Sequence, residues 1–151
     1  MTDRNVTHGT FVVQRSYPVS TARAFKAWAD PALKARWFMG GTTPDKYALD
    51  FRIGGKESNR IELPGGQVIT YAAMFQNIVA DNRIVYSYDM HDGDQHTSAS
   101  LTTVEFKPEG QGTRLVLTEQ GAFFDGFDSP KEREEGNNFL LGALAEMLQA
   151  E

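Results

Sequence analysis

The sequence predicts an α+β fold: a strand and two short helices, then a six-stranded antiparallel meander, then a long C-terminal helix. Three observations carry this reading. Runs of alternating apolar and polar residues fill the middle of the chain, and short Gly, Pro and Asp turns separate them. After the strand runs, from Ser129 on, the apolar period lengthens to three and four residues.

The stretch "TFVVQRSYPVS" sets Phe11, Val13, Arg15 and Tyr17 against Val12, Gln14 and Ser16, the period of a strand. Ser20 offers an N-cap to a helix with Ala24, Phe25 and Trp28 on one face, and Asp30 with Pro31 opens a second carrying Leu33 and Trp37. Strand runs follow: "KYALDFRI", "KESNRIEL", "QVITYAAMFQNIVA", "RIVYSYDM", "TSASLTTVEFK" and "TRLVLTEQ", each ended by a turn. Ser129, Pro130 and Glu132 form a capping box. Phe139, Leu140, Ala143, Leu144, Met147 and Leu148 then recur at helical spacing, with "GNN" at 136–138 the weak point of the helix.

At 151 residues and 16.8 kDa the chain is read as one domain, 1–151, with residues 1–9 expected to be flexible. No apolar run approaches the ~18 residues of a membrane span, and "MTDRNVTHGT" lacks the apolar core of a signal peptide, so no membrane association and a cytoplasmic location are expected. Cysteine is absent, which removes disulfides, thiolate metal sites and cysteine nucleophiles together. The net charge of -5 and scattered Lys and Arg argue against nucleic acid.

Alternation places Ile84, Tyr86, Tyr88 and Met90 on one face of the sheet with Val104, Phe106, Leu115, Leu117 and Glu119. Val85, Ser87, Asp89, Arg114, Thr118 and Gln120 fall on the other. The inward face needs a cover, and the terminal helix is the long one available. A twisted sheet around one helix leaves space, so a cavity is expected between them.

The chain resembles the START-like superfamily (birch-pollen-allergen-like, SRPBCC), in the branch of the activator of heat shock protein 90 ATPase homologues. The resemblance rests on "RSYPVSTARAFKAWADPALKARWF", "DFRIGGK", "NRIVYSY", "TTVEFKPEGQGTRLVLTEQGAFF" and the terminal helix. It implies a helix-grip fold enclosing a ligand cavity, in a superfamily of lipid carriers, hormone receptors and polyketide cyclases. Relatives of this branch commonly carry tryptophan after the glycine of the last helix. Asn137 stands there in this chain, which implies more room or a more polar lining.

The connection "TEQGAFFDGFDSPKEREEG" is rich in aromatics for a loop. Phe123, Phe124 and Phe127 are expected to wall or lid the cavity, or else to pack as core against Phe25, Trp28 and Trp37. Tyr71, Tyr86 and Tyr88 offer ring faces and hydroxyls. Trp37, Phe51, Met90, Phe106, Leu117, Asn137, Phe139 and Leu140 complete the candidate ligand-binding set. Glu119 is the candidate catalytic residue, because its register aims a carboxylate at the apolar side, where burial raises its pKa. The alternative pairs it with Arg52 or Arg36. Arg52 shares a face with Asp50, while Glu57, Asn59 and Ile61 share a register toward the far end of the cavity.

His8, His91 and His96 supply no evident metal set, "IGGK" opens a strand and so cradles no phosphate, and no serine triad is legible; no metal or cofactor is expected. Three functions follow. The first is binding of a small hydrophobic or aromatic molecule; the second is a cyclase, hydrolase or isomerase using Glu119 and a tyrosine. The third, a co-chaperone-like regulator of the heat shock protein 90 ATPase, is suggested by the resemblance alone. A homodimer is compatible with all three.

Overall fold

The structure, a computed structural model, describes residues 4–38 and 46–150. The elements are β1 (Val6–Tyr17), α1 (Thr21–Ala29), α2 (Pro31–Phe38), β2 (Tyr47–Leu49), β3 (Lys56–Glu62), β4 (Val68–Val79), β5 (Arg83–Asp92), β6 (Gln95–Glu109), β7 (Gly112–Phe124) and α3 (Pro130–Gln149). The sheet runs β1-β7-β6-β5-β4-β3-β2, every neighbouring pair antiparallel. The last strand thus lies between the first strand and the rest of the meander. This is the α+β, helix-grip arrangement. Among the described residues no helix is long and apolar enough to cross a membrane.

Three boundaries depart from the sequence reading. β1 starts at Val6 and not at Thr10, because Val6, Thr7 and His8 pair with Phe124, Phe123 and Ala122. The same pairing, with Ser98 of β6 on the other side, extends β7 through Phe124, so the aromatic connection begins as a strand. "DFRI" is a turn: Gly54 takes φ 82°, donates to Phe75 O, and hands the chain to Gly55, where a Cβ would stand 2.1 Å from Asp50 O. Phe51 leaves the strand register here and packs edge-on to Phe25 and Phe75.

The core is continuous from α1 to the far end of α3. Ala24, Phe25, Ala27 and Trp28 of α1 meet Phe106, Leu115 and Leu117 of the sheet, and Leu141, Leu144, Met147 and Leu148 of α3 close the same cluster. Tyr17 ties sheet to helix by donating its hydroxyl to Leu141 O at 3.1 Å. α3 therefore has two halves with different tasks. Its C-terminal half buries apolar side chains, while its N-terminal half, polar in sequence, is held over the open end of the sheet.

Two local features fix that first half. Ser129 accepts from Glu132 N at 3.1 Å, with Pro130 at the first turn. Gly9 permits the close approach, since a Cβ there would lie 2.5 Å from the Pro130 ring. Ser129→Ala is expected to lower folding stability by about 1 kcal/mol, read from urea denaturation midpoints at constant slope.

Candidate functional site

Between the first half of α3 and strands β3 to β5 the structure holds a cavity of about 220 Å³. Ile61, Tyr71, Tyr86, Tyr88 and Met90 line it from the sheet with Asn59; Phe38 comes from α2, and Arg133, Gly136, Asn137 and Leu140 from α3. The tyrosines arrive there by strand parity. Tyr86 and Tyr88 are two apart on β5, and Tyr71 pairs with Met90 across the β4–β5 ladder. Their rings form a tilted row, Tyr71 to Tyr88 at 5.0 Å and Tyr86 to Tyr88 at 6.0 Å between centroids.

One end of the cavity is backed by a buried polar network. Glu119 of β7, fully buried, sits opposite Thr102 in the β6–β7 ladder. Tyr88 donates to its Oε2 at 2.7 Å, Thr102 to its Oε1 at 3.1 Å, and Asn137 Nδ2 to its Oε1 at 3.3 Å. Arg133 Nη1 donates to the Tyr88 hydroxyl at 2.9 Å and lies 3.7 Å from Glu119 Oε2. Its Nη2 donates to Ser98 Oγ at 2.8 Å and to Asp128 Oδ2 at 2.5 Å. The guanidinium lies over the rings of Tyr88 and Phe123, 5.4 and 5.2 Å from their centroids.

Burial raises the Glu119 carboxyl above its ordinary range, and the donors from Tyr88, Arg133, Thr102 and Asn137 only partly oppose it. Burial and the neighbouring Glu119 push the Tyr88 hydroxyl up as well, so it remains a proton donor at neutral pH.

A second buried cluster braces the opposite wall. Lys34 Nζ contacts both oxygens of Glu57, at 2.9 and 2.8 Å. Tyr47 donates to Glu57 Oε2 at 2.5 Å, and Tyr71 to Oε1 at 3.4 Å. The ammonium lies 4.2 Å from the Phe38 ring centroid and 5.0 Å from that of Trp28. Burial lowers the Lys34 pKa, with Glu57 acting against it. Neither charge lines the cavity, but Phe38 and Tyr71 belong to both cluster and wall.

The profile of the family described as "Activator of Hsp90 ATPase homolog 1-like protein" matches residues 18–150. The chain belongs to this family. It is accordingly a START-like protein of the heat shock protein 90 ATPase activator branch. Among solved structures, a protein of Rhizobium loti is 52% identical, with 95% of this chain and 99% of that one covered and a TM-score of 0.90. A protein of Rhizobium leguminosarum is 39% identical, covering 99% and 100%, with a TM-score of 0.94. The CalU16 protein of Micromonospora echinospora, 19% identical, covers 98% and 86% with a TM-score of 0.65 and shares the fold. No curated protein matches the chain.

Within this family fold the candidate residues divide. Tyr71, Tyr86, Tyr88, Met90, Asn137 and Leu140 line the cavity, and so do Asn59 and Ile61. Glu119 lies behind the wall, reaching it through Tyr88 and Asn137, and its charged partner is Arg133; Arg52 is bound to Asp50 at 2.9 Å instead. Trp37, Phe51, Phe106 and Leu117 do not line the cavity but sit in the solid core under α1 and α2. Phe123 is buried beneath Arg133.

The expected aromatic lid is not there. Strand parity sends Phe124 to the other face of the sheet, 5.0 Å from the His96 ring, and Phe127 is 42% exposed. Phe139 is 74% exposed, one helical position from the cavity-lining Leu140 but on the outer face of α3. His91 and His96 stack at 4.5 Å across their hairpin, with His96 Nε2 2.8 Å from Asp89 Oδ1.

Arg133, Phe38 and Lys34 were not anticipated. Arg133 does carry a signal: it is four residues before Asn137, hence on the same helix face. Lys34 carries none, because a lysine on a short helix reads as solvated.

Proposed function

We propose that this protein binds a small, largely apolar or aromatic molecule in the cavity between the curved sheet and α3. The observation that carries the reading is a space of about 220 Å³ faced by three tyrosine rings and aliphatic side chains, with the Glu119–Tyr88–Arg133 network at one end. Apolar walls with a few placed polar groups are the usual composition of a small-molecule site. Membership of a fold family with ligand-binding and cyclase-like members supports it.

An enzyme using Glu119 and a tyrosine is supported by the 2.7 Å bond between Tyr88 and a carboxyl of raised pKa. It fits less well, because Glu119 does not itself line the cavity and Tyr88 already spends its proton on it. Regulation of the heat shock protein 90 ATPase draws on no feature of the cavity.

Native mass spectrometry of protein purified without denaturation is the test, with thermal melts against single-ring compounds beside it. The expected result is a low-mass organic adduct lost on unfolding, and a melt raised by at least one compound; a ligand at 100 times its Kd adds about 2.7 kcal/mol. Bare protein that no compound stabilises would overturn the proposal.

A further inference from the structure

The geometry points to a ligand class for this cavity, a neutral molecule of one ring carrying a hydroxyl donor, with Asn137 as the residue that selects it. This inference rests on the proposed binding function and adds the chemistry of the guest.

The orientation of the Asn137 amide is set by its neighbours. Nδ2 faces two acceptors, Glu119 Oε1 at 3.3 Å and the Arg133 carbonyl at 3.2 Å, and an amide nitrogen has two hydrogens. Both are committed, and Oδ1 is what the side chain has left to offer the cavity it lines. Tyr88 behaves in the same way. Its proton goes to Glu119 and one lone pair takes Arg133 Nη1, so its remaining capacity is that of an acceptor. Asn137 and Tyr88 therefore accept, so a guest seated against them donates, and a hydroxyl oxygen can in turn accept from the Arg133 guanidinium that lines the same end.

Charge narrows the donor. Arg133 is the cation at this end, and it stands 2.5 Å from Asp128 and 3.7 Å from Glu119. A carboxylate guest would meet a guanidinium already opposed by two carboxyls, with Glu119 immediately behind Tyr88. An ammonium guest would be placed against that guanidinium. Either charge loses its hydration with no free counter-charge to replace it. A neutral hydroxyl avoids both conflicts and matches an amide oxygen.

Size sets the body. An apolar cavity of roughly 150 Å³ admits benzene, and about 220 Å³ leaves room for one ring with small substituents. Tyr71, Tyr86 and Tyr88 present ring surfaces to it.

Isothermal titration with p-cresol, toluene and 4-methylbenzoate, three guests of one shape and different polar groups, tests the inference. In the wild type p-cresol is expected to bind roughly tenfold more tightly than toluene, the ratio that one satisfied hydrogen bond provides, and 4-methylbenzoate more weakly than either. Asn137→Leu is expected to bring the p-cresol to toluene ratio close to one while toluene still binds. Should that variant not fold, the wild-type series decides alone. Toluene equal to p-cresol, or 4-methylbenzoate tighter than both, would overturn the ligand class, and a ratio unchanged in Asn137→Leu would overturn Asn137 as the residue that selects it, each leaving cavity binding standing. No heat from any of the three, with no native adduct, would overturn both.

Discussion

Lys34→Met is expected to cost about 3–5 kcal/mol of folding stability, measured by urea unfolding at neutral pH, a loss large enough to unfold much of the protein. The reason is what the substitution leaves behind. Glu57 is buried, and Lys34 contacts both of its oxygens within 2.9 Å. Removing the cation strands a buried carboxylate against the Tyr47 and Tyr71 hydroxyls, which carry no compensating charge. Replacing both members with apolar residues, Lys34→Met with Glu57→Leu, is expected to recover part of the loss, since buried ion pairs are often no more stable than a packed apolar substitute, while the Tyr47 and Tyr71 hydroxyls lose their acceptor. Non-additivity of this kind marks direct coupling. A single variant within about 1 kcal/mol of wild type would instead mean that water reaches the pair. The cluster also bears on binding, because Phe38 and Tyr71 serve it and the cavity wall together. Loss of the pair should loosen both rings and weaken any single-ring guest.

The strand ladder was legible from the residues because a half-buried strand writes its two faces in alternate letters. Tyr86, Tyr88 and Met90 could be placed inward, and Glu119 could be aimed at the same side from Leu115 and Leu117. The capped start of α3 was legible for a similar local reason, Ser129 and Glu132 being three residues apart. What failed was decided by distant chain. β7 continues through Phe124 because Val6 and Thr7 pair with it, and no residue near Phe124 encodes the partner. That continuation sets Phe123 and Phe124 on opposite faces of the sheet, whereas the sequence reading has the three phenylalanines together as cavity wall, lid or core.

Arg133 was hidden by its surroundings in sequence, Lys131, Glu132, Glu134 and Glu135, which read as a solvated first turn. Its actual partners come from β5, β6, β7 and the residue before the cap. The carboxylates of the two clusters, Glu119 and Glu57, followed from strand parity, as did the apolar wall between them. Their cations, Lys34 and Arg133, lie on polar stretches of helix and were the part least readable in advance.

Glu119→Gln is expected to change how stability depends on pH more than any other single substitution at the site. The folded carboxyl has its pKa raised above the ordinary 4.5 by burial. Below that ordinary value both folded and unfolded chains hold the proton, and the contribution is fully present. As pH rises the unfolded chain releases its proton first, so the folded state binds more protons and stability falls until the folded carboxyl ionises too. The glutamine variant has no such group. Its own cost, about 1–3 kcal/mol, comes from turning an amide NH₂ toward Tyr88 or toward Thr102 and Asn137, which all donate to the carboxylate. The advantage of wild type over variant should therefore be largest at low pH and shrink through the window between the two pKa values, then level off. Urea unfolding of both proteins between about pH 4 and pH 8, with a carbon-13 titration of the Glu119 carboxyl, reads this directly. An advantage that instead grew with pH would show that the four donors outweigh desolvation and that Glu119 is a permanently ionised anchor for Arg133. The network behind the cavity would then carry a fixed negative charge at all pH values of interest, which strengthens the case against an anionic guest and removes what remains of an acid role for Glu119.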